Sequence, residues 1–235
     1  MNKIFFFAFL FFVNITSAQI SFEDVADDIG TAYSYGSSTW GGGVSFADFD
    51  NDGWDDLTFA TEEGTEIYFL KNNDGNFSSI TLNGISNTFK TKQVIWIDYD
   101  NDGDQDFFVT GFEGVNKFYK NDGDMNFTDV SSSIGFFETD LFTYGVSFAD
   151  MDNDGQREII VTLSNAQNGA RIIAFREDGS LLAEGPAIRT GYRWRHQLVA
   201  APFGSTEENL LAVIRTPHIG GVLEFYRLNG SQLEI

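Results

Sequence analysis

The sequence predicts an all-β protein, specifically a β-propeller built from four-stranded units of about fifty residues. An aspartate-rich segment recurs three times at nearly equal spacing, and each copy lies between two strand-like runs. An Asp-Gly turn between apolar runs follows in each unit, which is typical of a β-hairpin. The 25 Phe and the 16% aromatic fraction also favour strands over helices.

The repeated segment has three copies, which begin 50 and 52 residues apart: DFDNDGWDD at 48–56, DYDNDGDQD at 98–106 and DMDNDGQRE at 150–158. The run GVSFAD leads into the first and third copies letter for letter, and QVIWID takes its place before the second. Apolar runs follow the copies from Leu57, Phe107 and Ile159. Each copy is therefore predicted to connect the first two strands of a unit.

The third and fourth strands of each unit are predicted around the turns in KNNDGNF, KNDGDMNF and FREDGSL. The predicted units are roughly 40–90, 91–140, 141–190 and 191–235. The fourth lacks the aspartates, so we expect no metal there. Residues 20–30 resemble a fourth strand and could close the last blade. A β-sandwich or a stacked β-solenoid is the alternative fold.

The N-terminus is predicted to be a signal peptide over residues 1–18, which leaves 19–235 as the mature domain. Lys3 is followed by the apolar run Ile4–Val13 and by the small residues Thr16, Ser17 and Ala18. The apolar run is too short to span a bilayer. We therefore expect a secreted or cell-surface protein, with a membrane anchor or a buried strand as the alternative.

The charge and composition exclude several classes of function. The formal charge of -21 repels nucleic acid and anionic membranes, so neither is an expected partner. With 0 Cys there is no disulfide and no thiol nucleophile. The 2 His, His196 and His218, lie in the fourth unit and form no arguable serine–histidine–acid set. We predict a protein that is not an enzyme and has no catalytic residues.

The acids of each aspartate-rich segment fall at positions 1, 3, 5 and 9, with Gly at position 6. Alternate residues of an extended or turning chain point the same way, so these carboxylates can converge on one centre. Gly at position 6 permits a sharp turn, and position 7 can offer its backbone carbonyl. So many oxygen ligands suit Ca²⁺, and Mg²⁺ is the second choice.

We therefore predict about three Ca²⁺ ions as cofactors. The predicted metal-site residues are Asp48, Asp50, Asp52, Trp54 and Asp56 in the first unit, Asp98, Asp100, Asp102, Asp104 and Asp106 in the second, and Asp150, Asp152, Asp154, Gln156 and Glu158 in the third. An EF-hand is excluded, since position 12 is Phe59, Val109 or Val161 instead of Glu. A metal-free acidic turn is the alternative.

The pattern D-x-D-N-D-G-x-x-D/E, with its leading strand and following N-x-D-G-x-F hairpin, resembles the FG-GAP/VCBS repeat family of integrin-α-like propeller blades. The resemblance covers nearly all of the mature chain, with three good copies and one degenerate copy. It implies that the acids at positions 1, 3, 5 and 9 bind calcium, with Glu158 a mild departure from Asp. Propellers of this family often have about seven blades, so this chain is either a small four-bladed form or an incomplete propeller.

The resemblance implies an exported, calcium-binding adhesion or interaction module whose partner is a surface protein or a glycan. The alternatives are a propeller scaffold of a secreted polysaccharide lyase or hydrolase, and a purely architectural repeat. The segment RTGYRWRH, 189–196, could recognise an acidic sugar or a carboxylate through its Arg and aromatic side chains. Its other interpretation is a strand whose Arg residues balance neighbouring acids.

Overall fold

The computed structural model describes residues 21–37, 41–112, 114–134, 142–188, 195–203, 208–215 and 220–235. These residues form sixteen β-strands and one short helix, so the all-β prediction is confirmed. The predicted signal peptide, residues 1–18, lies outside the described residues. Among the described residues, no helix has the length and apolarity to cross a membrane.

The first two units are separate four-stranded antiparallel sheets in which each strand pairs with the next along the chain. The strands of the first sheet are β1 Val44–Ala47, β2 Asp56–Phe59, β3 Tyr68–Asn73 and β4 Asn76–Ile80. Those of the second are β5 Thr91–Ile97, β6 Asp106–Gly111, β7 Lys117–Asn121 and β8 Phe127–Asp129. The strands and hairpins lie where the repeat pattern predicts them.

The third and fourth units have the same antiparallel order, and one parallel pairing between Glu184 and Gln232 joins them at their outer strands. The strands of the third unit are β9 Phe142–Ala149, β10 Glu158–Asn165, β11 Gly169–Phe175 and β12 Leu181–Glu184. Those of the fourth are β13 Arg195–Pro202, β14 Asn209–Arg215, β15 Val222–Asn229 and β16 Gln232–Glu234. The degenerate unit therefore keeps its sheet although it has lost its aspartates.

The first strands of successive units lie side by side, β1 beside β5, β5 beside β9 and β9 beside β13. The sheets face one another and bury an apolar layer between each neighbouring pair. Between the first two, Trp96 stacks on Phe49 with ring centroids 4.9 Å apart. Strands β6 and β10 are buried along nearly their whole length because both of their faces are covered. The arrangement is propeller-like.

The predicted strand at 20–30 is wrong for the described residues 21–30. They form helix α1, Ala26–Ile29, in which the Ile29 N–H donates to the Val25 carbonyl at 3.1 Å. The sequence FEDVADDIG at 22–30 repeats FTDVSSSIG at 127–135, and Ile134 makes the equivalent bond to the Val130 carbonyl. Phe127 belongs to β8 because β7 pairs with it, whereas Phe22 has no strand partner among the described residues and is 93% exposed.

Candidate metal centres

The three acidic loops share one backbone conformation. At position 4 each has an Asn with φ near 60°, and at position 6 a Gly with φ near 95°: Asn51, Asn101 and Asn153, then Gly53, Gly103 and Gly155. Left-handed backbone is costly for most side chains, and Gly and Asn tolerate it best. The Asn-Asp-Gly run therefore builds the same tight loop after β1, β5 and β9.

The acids at positions 1 and 5 hold the loop together. The Asp48 carboxylate accepts the backbone N–H groups of Asp52 at 2.9 Å and of Gly53 at 2.8 Å. Asp52 in turn accepts the N–H of Trp54 at 3.0 Å. The hydrogen bond from Lys71, and then this bond, lower the pKa of Asp52. The second and third loops repeat these bonds. Much of the hydrogen-bonding capacity of these acids is thus used inside the loop.

The acid at position 9 starts the second strand of each unit and is fully buried, as Asp56, Asp106 or Glu158. Asp106 accepts the N–H of Tyr99 at 3.2 Å and the N–H of Asn121 at 2.8 Å. Asp56 is held in the same way. Glu158 accepts the N–H of Met151 at 2.6 Å through Oε2, and its Oε1 is buried without a partner in the described residues.

Each loop brings its acids at positions 1, 3 and 9 together. One carboxylate oxygen from each lies within 4.8 Å of the others in three groups: Asp48, Asp50 and Asp56; Asp98, Asp100 and Asp106; and Asp150, Asp152 and Glu158. These groups consist of side-chain carboxylates, and they do not include the position 5 acids Asp52, Asp102 and Asp154. The position 7 residues Trp54, Asp104 and Gln156 are predicted to offer backbone carbonyls instead. Their role as ligands stays a prediction.

Burial makes the position 9 carboxylates difficult to ionise. It raises the pKa of Asp56 to about 6 and the pKa values of Asp106 and Glu158 to about 7. The other acids of each loop raise these values further by repulsion, and the backbone N–H groups lower them only in part. Ionising all three acids of one centre therefore calls for a nearby cation.

A lysine supplies such a cation in the first two units. Lys71 pairs with Asp50 and Asp52, and Lys120 pairs with Asp100 and Asp102. Hydrogen bonds to these acids raise the pKa values of both lysines, which stay charged. The spacing of the aspartates did not identify these lysines, although a basic residue precedes the Asn-Asn-Asp, Asn-Asp or Glu-Asp of the hairpin turn in each of the first three units.

In the third unit Arg176 takes the place of the lysine. Arg176 follows Phe175, which pairs with Ile159, and Lys120 in the same way follows Tyr119, which pairs with Phe107. The Arg176 guanidinium donates to the Ser180 hydroxyl at 3.5 Å and to the Leu181 carbonyl at 3.4 Å. Among the described residues, no Lys or Arg pairs with Asp150, Asp152 or Glu158. Within the described part of the chain, the third centre thus has three acids and no paired basic side chain.

The predicted recognition segment 189–196 is described only at Arg195 and His196. Arg195 is 2% exposed, donates to the Pro186 carbonyl at 2.8 Å and lies 3.9 Å from Glu224. The Glu224 carboxylate also accepts the Tyr226 hydroxyl at 2.7 Å. The buried position of Arg195 favours the structural interpretation for this residue, while residues 189–194 lie outside the described part of the chain.

Comparison with protein families gives one match, and it lies over the acidic loops. An FG-GAP-like repeat family matches residues 48–109 and 98–161. The chain contains FG-GAP-like repeats. The matches cover the three acidic loops and the strands between them, from the start of the first loop into β10, so the predicted resemblance is confirmed on the loops that carried it. No curated protein matches the chain.

Among solved structures, the FG-GAP repeat chain is similar to an Agrocybe aegerita lectin described as recognising non-reducing terminal N-acetylglucosamine. The identity is 13%, and the TM-score is 0.46 over 85% of this chain. The matched part spans 53% of the lectin chain, about half its length. A TM-score this low carries no argument about the fold or the ligand of the FG-GAP repeat chain.

Proposed function

We propose that the protein is an exported, calcium-stabilised β-propeller module that binds a surface protein or a glycan. The observation that carries the metal assignment is the third centre. It combines three carboxylates within 4.8 Å, a buried Glu158 oxygen without a partner in the described residues and no paired basic side chain. A cation at this centre would neutralise the acids and give that oxygen a partner.

The donor set fits a hard divalent cation, since all of the acidic donors are carboxylate oxygens. We propose that the acids at positions 1, 3 and 9 hold the ion in each unit and that further oxygens of the loop complete the shell. In the first two units Asp50 and Asp100 each also have one buried carboxylate oxygen without a partner in the described residues. Calcium suits such a site better than magnesium, because it accepts more oxygens and a less regular geometry.

We further propose that each of the four four-stranded units is one propeller blade and that the calcium loops fix the turn between the first two strands of a blade. The first strands of successive units lie side by side, as blades require around a propeller axis. With 0 Cys, the chain has no disulfide to provide such a constraint.

Export is proposed from the signal-peptide pattern of residues 1–18. It is consistent with the occurrence of FG-GAP repeats in extracellular proteins. Extracellular calcium is available at concentrations that suit weak carboxylate sites. N-terminal sequencing of the protein from the medium or the cell surface tests this part. A first residue of Gln19 supports export with cleavage, and retention of residues 1–18 overturns the cleavage.

A thermal melt tests the metal assignment. The mature chain is melted with a chelator, with millimolar calcium and with millimolar magnesium. One site saturated to about a hundred times its dissociation constant adds roughly 2.7 kcal/mol, or roughly 5–10 °C in Tm. We expect calcium to raise Tm by at least this amount and magnesium to raise it less.

The matched variants are Glu158→Gln in the third centre and Glu184→Gln, which pairs with Arg171 away from the loops. Glu158→Gln should reduce the calcium-induced rise in Tm, and Glu184→Gln should keep it. A wild-type melt that does not respond to calcium would show that the clusters are metal-free acidic turns. A response that Glu158→Gln leaves unchanged would remove the third centre from the assignment.

A further inference from the structure

The acidic loops of neighbouring units are joined by their asparagines. The Asn51 side-chain amide donates to the Gly103 carbonyl at 3.2 Å, which links the first loop to the second. The Asn101 amide donates to the Gln156 side chain at 3.1 Å and to the Gly155 carbonyl at 3.5 Å, which links the second loop to the third. Each of these two junctions is therefore closed by direct contact between loops.

The junction between the third and fourth units is built differently. Asn153 is the third member of the asparagine series, and it makes no equivalent bond among the described residues. The fourth unit has no aspartate-glycine loop to offer it a carbonyl. The sheets are joined instead by Asn209, whose amide donates to the Asp150 carbonyl at 2.6 Å. A cleft of about 430 Å³ lies at this junction.

The cleft has the size of a small-molecule site. Its volume lies within the usual range of roughly 300–1,000 Å³ for ligand pockets. The apolar residues Met151 and Leu228 line one part, and Met151 is only 4% exposed. The polar groups are Asp152, Asn153, Arg176 and Glu208. The lining therefore combines an apolar surface with several hydrogen-bonding groups.

The charges of the lining limit what the cleft can hold. An anionic ligand meets Asp152 and Glu208 as well as the formal charge of -21 on the whole chain. A cationic ligand meets the Arg176 guanidinium, and Arg227 lies 3.8 Å from Glu208. Hydroxyl groups of a neutral ligand can donate to the carboxylates and accept from Arg176 and the Asn153 amide. The lining thus favours a neutral molecule rich in hydroxyl groups.

We infer that this cleft between the third and fourth units binds a neutral sugar residue. The C–H face of a sugar ring matches the half-buried Leu228 side chain, and its hydroxyls match the Asn153, Arg176 and Glu208 side chains. The inference deepens the proposed binding function and rests on it, but it does not require calcium to occupy the third centre. It places glycan recognition between the third and fourth units. At this junction of the described residues a cleft is present and no loop asparagine joins the two loops.

Saturation-transfer NMR on the full mature chain tests the sugar site. The probes are methyl glycosides of glucose, galactose and mannose, together with N-acetylglucosamine. Glucuronate and glucosamine serve as charged comparators. We expect transfer to at least one neutral sugar and none to the charged comparators. Transfer to no neutral sugar, or only to a charged one, overturns the inference.

Two variants of the cleft and one matched control locate the binding. Leu228→Trp fills the cleft, and Arg176→Ala removes its main donor. Each should weaken sugar binding by at least tenfold. Lys117→Ala removes a basic side chain of the second unit that pairs with Asp129 away from the acidic loops, and it should leave sugar binding unchanged. Binding that survives both cleft variants in folded protein places the sugar elsewhere and refutes the site.

A calcium melt of the same samples separates the two proposals. Protein that is stabilised by calcium but binds no neutral sugar refutes the sugar site alone. Protein that binds a neutral sugar in the cleft without any response to calcium supports the sugar site and refutes the metal assignment. The variants are compared at equal folded fraction, as judged by near-ultraviolet circular dichroism, so that a loss of fold does not count as a loss of binding.

Discussion

The Asp106 carboxylate accepts the backbone N–H of Asn121 at 2.8 Å, which ties the end of the second acidic loop to the third strand of its sheet. Asp106 is fully buried, and burial raises its pKa to about 7. The Asp106 side chain therefore has two roles. Its bond to Asn121 holds β6 against β7, and its carboxylate, which is costly to ionise, lies at the centre shared with Asp98 and Asp100.

The pKa of Asp106 predicts a pH dependence for the metal-free protein. The folded pKa, about 7, lies above the ordinary value of 3.8, so the folded state binds the proton more tightly. The stabilisation this provides is fully present below about pH 4 and is lost as the pH rises through about 7. The free energy of unfolding of the wild type, relative to Asp106→Asn, should therefore fall between pH 4 and pH 8 in chelator.

Urea denaturation at several pH values measures this difference, because all other titrating groups are common to the two proteins. Asp129→Asn is a control with the opposite sign. The hydrogen bonds of Asp129 to Lys117 and Ser131 outweigh its burial and lower its pKa. Its contribution is present above its ordinary pKa and is lost as the pH falls. The prediction is contradicted if the free energy of unfolding of the wild type, relative to that of Asp106→Asn, rises with pH.

Lys120 is predicted to compete with calcium at the second centre. Its ammonium group pairs with Asp100 and Asp102, and its raised pKa keeps it charged at neutral pH. Lys120→Met should therefore raise the calcium affinity of that centre about tenfold, a change of about 1.4 kcal/mol. The same variant should lower the Tm of the metal-free protein. Isothermal titration calorimetry and melts in chelator measure the two effects.

The control for this variant is Lys117→Met, on the same strand, since Lys117 pairs with Asp129 away from the loops. It should leave the calcium affinity unchanged. An affinity that stays constant or falls in Lys120→Met would show that Lys120 does not compete for the carboxylates.

The hydrogen bond between Trp96 and Thr58 is predicted to stabilise the contact between the first two sheets. The indole N–H donates to the Thr58 hydroxyl at 2.9 Å, and the hydroxyl is buried with the ring. Thr58→Val leaves a buried N–H unpaired and should cost about 1–3 kcal/mol. In the double variant with Trp96→Phe this penalty disappears, because both partners are then apolar. A double-mutant cycle by urea denaturation measures the coupling, and additive effects would rule out a stabilising bond.

The buried charges of the fourth unit are predicted to be structural. Glu224 lies 2.7 Å from Arg215 and 3.9 Å from Arg195, and it is 7% exposed. Glu224→Ala leaves the buried Arg195 without its carboxylate and should cost about 3–5 kcal/mol in urea denaturation. Arg227→Ala removes an exposed pairing to Glu208 and should change stability by less than about 0.5 kcal/mol. Equal effects of the two variants would contradict this role.

Much of the fold could be predicted because its signals are local. The Asn-Asp-Gly runs at 51–53 and 101–103 specify left-handed backbone, and the Asp-Gly turns mark the hairpins between the third and fourth strands. Spacing predicted that the acids of each loop converge, and those at positions 1, 3 and 9 lie together. It did not indicate that Asp52 accepts the backbone N–H of Trp54, and the role of Asp52 as a ligand stays a prediction.

The sequence by itself determined the repeat, the all-β class and the three acidic loops, because turn conformation and strand pattern depend on neighbouring residues. Tertiary structure decided the rest. Packing between strands buries Asp106 and raises its pKa, and sheet register sets Lys120 against Asp100. The absence of a strand partner among the described residues leaves Phe22 exposed, although Phe127 in the same local sequence is buried. These outcomes depend on which distant segments meet, and spacing along the chain does not specify that.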